Sequence, residues 1–369
     1  MSTDVLVIGG GIVGAALAYG AIKSGRSVVV LDGADSDFRA ARANFGLVWT
    51  QGKGADVPAY NRLTLQSSEL WPDFLADVTA QSRVPVDYAR PGGLTICLGD
   101  DEFEERKALL QRMHNQGAVT ETVMLSRSEL EKMMPDVKLG PEVTGASYCK
   151  FDGHVNPLQL LAALHRAISN LGGKILYRHR AEGIEPASEN FTVRTENETF
   201  TAKRVIVAAG LGTSALVAPL GFSVPIHSSR GQILVTERMQ PLLPYPASGL
   251  RQTADGTVMI GATKEATEDR GVTVASARQL ANRALKIVPA LSRVRLVRHW
   301  SGLRILSPDG APIYAESKRF PGLFAAVCHS GVTLAAAHAD IVAPAMLSGR
   351  LSSDLPDFSN ERFDVQEFA

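Results

Sequence analysis

Residues Gly9-Gly10-Gly11-Ile12-Val13-Gly14 set glycines in the G-x-G-x-x-G spacing, directly after the apolar run Asp4 to Ile8 and directly before the Ala-rich stretch Ala15 to Ser24. The chemistry this spacing serves is the binding of a dinucleotide pyrophosphate. Gly9 permits a tight turn, Gly11 leaves the backbone open to the phosphates, and Gly14 lets helix and strand pack closely, while the helix N-terminus offers free N–H groups. A second apolar run, Ser27 to Leu31, ends at Asp32, where a carboxylate can accept hydrogen bonds from a ribose. Taken alone, the glycine spacing could be an ordinary turn. Strand, loop, helix and acid arriving in order point to a nucleotide site.

Other chemistries find no support in the residues. Lys+Arg and Asp+Glu each number 38 and no basic cluster stands out, which argues against nucleic acid or an anionic membrane as a partner. His and the carboxylates show no metal-ligand spacing, so no metal is expected. Cys97, Cys149 and Cys328 are far apart and form no C-x-x-C pair; they read as small buried hydrophobes in a reducing cytoplasm, too few to hold an iron–sulfur cluster. The Asn190 and Asn197 sequons carry no meaning there. The N-terminal apolar run lacks a positive leader and is used by the nucleotide fold, so neither a signal peptide nor a membrane span is expected.

With 369 residues, 45% of them hydrophobic and 21% charged, the chain suits an ordinary globular protein of two domains. No linker, repeat or low-complexity tract separates them, which implies interleaving. Helices are expected over Leu63 to Ala76, Asp101 to Met113 and Leu158 to Leu171, the last started by Asn156-Pro157 and closed by Gly172-Gly173. Lys174 to Tyr177 reads as a strand, Phe191 to Arg194 with Phe200 to Ala202 as a hairpin, and Arg204 to Gly210 as a buried strand ending in small residues. A separate sheet-based lobe is expected from Pro225 to His299, with strands at Gln232 to Thr236 and Thr257 to Ala262 and a helix at Ser276 to Ile287. The strand Gly322 to Val327, the turn Ser330 to Thr333 and the helix Leu334 to Leu347 close the chain, with Pro344 expected to bend that helix.

Five segments together resemble the FAD-dependent D-amino acid oxidase and glycine oxidase family: Gly9 to Gly14, Asn44 to Leu47, Asp152 to Leu164, Val205 to Gly210, and Trp300 to Arg304 with Ser307 to Gly310. The run Ala43 to Gly54, with Leu70-Trp71-Pro72, is more similar still to opine oxidase (octopine and nopaline) B subunits and the hydrogen cyanide synthase C subunit, which work inside membrane-associated or multi-subunit dehydrogenase complexes. The resemblance implies an α/β fold, with a Rossmann-like FAD domain of the glutathione-reductase type interleaved with a smaller α+β domain on an antiparallel sheet. The FAD domain would take 1–85, 140–222 and 300–369, and the substrate domain 86–139 and 223–299.

The same likeness implies non-covalent FAD, contacted by Gly9, Gly11, Ile12, Val13, Gly14, Asp32, Gly33 and Arg42, with Asn44, Phe45, Gly46 and Leu47 under the flavin. Ala181 would lie near the adenosine, with Ala209, Gly210 and Gly302 also lining the cofactor and Ser330, Gly331, Val332 and Thr333 at the flavin's pyrimidine edge. The chain departs from the family at Gly212, where a Trp is common, and at Gly302, where relatives with covalent flavin place a Cys nearby. Arg304 stands where the family binds the substrate carboxylate. A guanidinium fork matches both carboxylate oxygens, and Arg251 is a second candidate, from the other lobe, for a distal carboxylate. The N–H groups of residues 331 to 333 suit the negative charge of reduced flavin near N1 and O2. His329 would face the substrate or tune the flavin, or simply pack, and His154 would fold its loop.

The expected activity is oxidation of the C–N bond of an amino acid or opine-like secondary amine by hydride transfer to flavin N5, giving an imine that hydrolyses to a keto acid. Electrons would pass to partner redox subunits or to oxygen, in the cytoplasm or at a membrane through the complex. An NAD-dependent dehydrogenase and a non-catalytic flavin-holding subunit are the competing readings.

Overall fold

The computed structural model describes residues 2–33 and 39–364. Its first layer is built on β1 (Ser2–Ile8), which pairs in parallel with β2 (Val28–Asp32) on one side and with Thr199–Val207 on the other. Period-two alternation sorts the side chains. Val5, Val7, Val28 and Val30 enter one core with the helix α1 (Ile12–Lys23), whereas Leu6, Ile8, Val29 and Leu31 enter a second core on the opposite face. Burial on both faces is why these strands read as unbroken apolar runs.

The expected hairpin and the expected buried strand prove to be one element. Thr199–Val207 pairs antiparallel with Phe191–Thr195 through its first half and in parallel with Leu323–Val327 through its second. Arg204 and Val205 therefore continue the hairpin arm without a break, a continuity that composition could not reveal. Including the outer strands, this sheet has eight strands among the described residues.

A second layer is antiparallel. Its strands run in the order Leu250–Gln252, Thr257–Gly261, His227–Arg238 and Leu296–Leu306. The helix Val274–Ile287 covers one face of it through Leu280, Ala284 and Ile287, packed with Leu234, Leu250, Val258 and Ile260. A bridge from Leu94 to Ala247 joins a three-stranded sheet of Gly93–Leu98, Val143–Cys149 and Thr122–Ser126. Residue 300 lies inside a strand of the second layer, and Val143–Cys149 pairs with Gly93–Leu98 in the three-stranded sheet.

Two helices depart from expectation. The helix expected over Leu63 to Ala76 runs from Pro58 to Ser82 and carries Pro72 in its interior. The last helix is interrupted at His338–Val342 by a π-type turn, and Pro344 opens the segment Ala343–Leu347 that follows. A proline ring crowds the carbonyl four residues before it, here Asp340, and the wider turn relieves that crowding ahead of the ring.

Candidate active site

The glycine turn takes the shape its spacing requires. Gly9 has φ +109°, and a β-carbon on it would overlap the Ala208 carbonyl; one on Gly14 would overlap the carbonyl of Gly9. Gly11 differs, since a β-carbon there would meet only the Ala41 side chain, at 3.8 Å, among the described residues. Two glycines therefore serve the fold, and the third leaves open space before α1. The Asp32 carboxylate lies against Gly10, and the Asp32 carbonyl accepts from the His179 N–H at 2.9 Å, which brings the strand beginning at Ala181 alongside. Gly33 follows half-buried, and Arg42 acts electrostatically on His165 and Tyr177, two residues that also feel Asp32.

A second turn abuts the first. A β-carbon on Gly331 would come within 2.9 Å of Val13, which places Ser330 to Thr333 beside the start of α1. The Pro58–Ser82 helix grips this turn from behind: Ser67 and the Trp71 indole both donate to the Thr333 carbonyl at 2.8 Å, and the Tyr60 hydroxyl donates to Ser330 Oγ at 2.7 Å. Trp71, fully buried and stacked on Tyr88 at 5.1 Å, is thereby explained as a fastening. Held this way, the N–H groups of Gly331, Val332 and Thr333 find no acceptor among the described residues. Buried donors left open at the start of a helix suit an anionic acceptor.

Asn44 and Leu47 frame the space between the two turns. Asn44 Oδ1 accepts from the Gly46 N–H at 2.7 Å, Gly46 has φ +85°, and Leu47 pairs with His154. Phe45 and Trp300 both pack against the cluster of Ile233, Val235 and Met259 in the second layer. Ala209 and Gly210, the latter at φ +61°, end the strand Thr199–Val207 in a tight turn.

The open face of the second layer carries both arginines. Register places Arg304 opposite Ser229, Gly302 opposite Gly231, Trp300 opposite Ile233, Met259 opposite Val235 and Arg251 opposite Met259, so all of these point to the same side. Arg251 and Arg304 were expected from different lobes; they rise from one sheet. Arg304 Nη1 donates to the Arg230 carbonyl at 3.1 Å, and the side chain makes no ion pair among the described residues. The Glu265 carboxylate behind it is taken by Arg230 at 2.6 Å and Gln232 at 2.9 Å. Arg251 is 3% exposed, hydrogen-bonds among the described residues to the His154 ring at 3.3 Å and the Met259 sulfur at 2.9 Å, and leaves its Nε without an acceptor among them. Burial pulls Arg251 down to about 10; burial and then the Arg251 charge pull His154 down to about 4. His154 therefore meets Arg251 as a neutral acceptor besides shaping its loop. Two guanidinium groups without an acid partner among the described residues mark a site suited to anions.

One polar residue of this cleft was not anticipated. Lys53 places Nζ 3.3 Å from His329 Nδ1, on a turn whose flanking Gly52 and Gly54 have φ +73° and +67°. Desolvation pulls its amine down to about 8, Cys328 and Asp152 oppose this, and Lys264 and Arg304 reinforce it. The Lys53 charge, followed by desolvation, keeps His329 well below the usual imidazole range. Asp152 anchors the turn, accepting from Thr50 N at 2.6 Å, Thr50 Oγ1 at 2.7 Å and Gln51 Nε2 at 2.7 Å; burial raises its own carboxyl to about 6. A lysine set between two glycines was the available signal. Its neighbours come from residues 152, 264, 304 and 328–329, which the chain order does not bring together.

A parallel nucleotide layer facing an antiparallel layer with anion-seeking arginines defines a two-lobed flavoprotein oxidoreductase. The chain belongs to the DAO family of FAD-dependent oxidoreductases, whose model matches residues 4–345. It is 42% identical over 368 residues to the opine oxidase B subunit of Rhizobium meliloti, covering 99% of this chain and 98% of the relative. The corresponding opine oxidase polypeptide of Agrobacterium tumefaciens (strain Ach5) is 40% identical over 99% of this chain and 98% of its own. Among solved structures, glycine oxidase from Geobacillus kaustophilus superposes with a TM-score of 0.88 at 25% identity, covering 97% of this chain and 98% of that one. No helix among the described residues is long and apolar enough to cross a membrane, and no group of three or more His, Cys, Asp or Glu among them could hold a metal ion.

Proposed function

We propose that this chain oxidises the C–N bond of a carboxylated amine, an amino acid or an opine-like secondary amine, and that Arg304 holds the substrate carboxylate. FAD, bound without a covalent link, supplies the hydride acceptor. Open space at Gly11, with Ile12 and Val13 starting the helix behind it, fits the pyrophosphate, and Asp32 with Gly33, Arg42 and Ala181 fits the adenosine end. Asn44 to Leu47, Ala209, Gly210 and Gly302 would border the flavin. The open N–H groups of Gly331, Val332 and Thr333, beside Ser330, would receive the negative charge of its reduced form. Arg251 would hold a second carboxylate, and His329 would orient Lys53. The lobes would divide near residues 93–149 and 227–306 for the substrate side.

The observation that carries this reading is Arg304: on the open face of the second layer its guanidinium is bonded, among the described residues, to one backbone carbonyl, which leaves its fork for a carboxylate. Anaerobic mixing of the yellow protein with opines, D-amino acids, L-proline and glycine tests it, the expected result being loss of the oxidised flavin absorbance with at least one of them. A protein that holds flavin but is reduced by none would end the proposal. The relatives named as B subunits support a place in a hetero-oligomer, with electrons leaving through a partner, at a membrane or in the cytoplasm. Low peroxide yield together with fast turnover on an artificial acceptor is the outcome that reading requires.

A further inference from the structure

An amine substrate reaches neutral solution mostly as an ammonium ion, and an ammonium nitrogen has no lone pair to form a C=N bond as the α-hydrogen departs. A proton acceptor in the cleft would remove that obstacle. We infer that Lys53 is this acceptor: in its neutral form it takes the proton from the substrate nitrogen after the carboxylate has docked on Arg304. The inference rests on the amine-oxidising reading above. In the step, the substrate N–H bond breaks and a Nζ–H bond forms, leaving the lone pair on nitrogen. That pair then becomes the second C–N bond while the α-hydrogen leaves with its bonding electrons to the flavin.

Geometry supports Lys53 over its neighbours. Its hydrogen-bond partner among the described residues is the His329 ring at 3.3 Å, which leaves further hydrogen-bonding positions on Nζ, and the residue is half-buried. The groups that face it come from four directions: Cys328 and His329 from the turn after Leu323–Val327, Lys264 from beyond Thr257–Gly261, Arg304 from Leu296–Leu306, and Asp152 from the loop before Gly153–Val155. The positive charges favour a neutral amine, in the same direction as its withdrawal from water.

The alternatives are each disabled. His329 uses Nδ1 toward Lys53 and, even beside a neutral lysine, is held from protonation by burial and by the Arg304 and Lys264 charges; Tyr60 spends its proton on Ser330, Cys328 is pushed up to about 12, and Asp152 is filled by Thr50 and Gln51. A carboxylate arriving at Arg304 offsets the positive field and raises the proton affinity of Lys53 as the ammonium arrives beside it.

Two experiments on the FAD-loaded chain test this. The first measures the anaerobic rate of flavin reduction against pH for the wild type, Lys53→Met and Lys53→Arg, using whichever of octopine, nopaline, L-proline or glycine reduces the wild type. Both variants should lose about a hundredfold or more at pH 7. They should recover as pH approaches the pKa of the free substrate amine, and added ethylamine should partly restore Lys53→Met. A loss equal at every pH and without rescue, or no loss, overturns the assignment. The second measures proton uptake by calorimetry, in buffers of different ionisation enthalpy, when acetate binds near pH 8. Uptake is expected in the wild type and absent in Lys53→Met, and equal uptake in both rejects Lys53 as the titrating group. If no probe amine reduces wild-type flavin, the amine-oxidising reading itself falls, which the acetate titration tells apart from failure of Lys53 alone.

Discussion

Arg304 lies across Gly231: a β-carbon added to that glycine would sit 2.5 Å from the nearest guanidinium nitrogen. The two residues belong to neighbouring strands, with Gly302 directly opposite Gly231, and the bare backbone there is what lets the arginine lie flat toward the cleft. Gly231→Ala should push the guanidinium aside without touching the nucleotide turn. The expected result is a KM for the amine raised by about tenfold to a hundredfold, on the order of 1.4 to 3 kcal/mol, with the flavin spectrum unchanged. An unchanged KM would show that Arg304 does not contact substrate.

Gly11 and Gly14 should respond differently to the same methyl group. Gly14→Ala forces the methyl onto the Gly9 carbonyl and should lower thermal stability and FAD content together. Gly11→Ala adds a methyl facing open space, so the apoprotein should melt as the wild type does while FAD affinity falls. Fluorescence titration with FAD checks this, and undiminished affinity in Gly11→Ala would remove the pyrophosphate from that space.

Arg251 is a buried charge that meets no carboxylate partner among the described residues. Arg251→Met should therefore stabilise the chain, by on the order of 1 to 3 kcal/mol in urea unfolding, because an unsatisfied buried group is removed. Turnover should suffer more with a substrate of two carboxylates than with one. A destabilised variant, or equal loss on both substrates, would assign Arg251 to the architecture alone.

His338 makes stability depend on acidity. Buried beside Tyr314, whose hydroxyl lies 2.8 Å from Nε2, it is pulled by burial from 6.5 to about 3. A depressed histidine contributes stability that is complete above its unfolded value and is lost as pH falls from there toward the folded one. At pH 5 the loss is about 2 kcal/mol. His338→Gln keeps an acceptor for Tyr314 and should flatten the decline in unfolding free energy between pH 7 and pH 5. The same decline in the variant would place the acid sensitivity elsewhere.

The parts legible in the sequence were those fixed by near neighbours. Gly14 is required by the Gly9 carbonyl within the same strand–turn–helix unit, and Asn156 caps its helix through the N–H groups of Leu158 and Gln159 at 3.1 and 3.3 Å. Residues whose meaning depends on distant chain were not legible. That Arg251 and Arg304 share a face follows from strand register, and Lys53 gains its character from residues up to 276 positions away. Pro344 announces a bend in its helix, but not the π-type turn at His338–Val342 that accommodates its ring.

The most direct measurement compares flavin reduction in the wild type and Arg304→Ala, both loaded with FAD, on a reactive carboxylated amine and on its decarboxylated analogue. The wild type should be reduced far faster by the carboxylated amine, and Arg304→Ala should lose that preference while keeping its flavin. A variant that still prefers the carboxylated amine to the same degree would contradict the account.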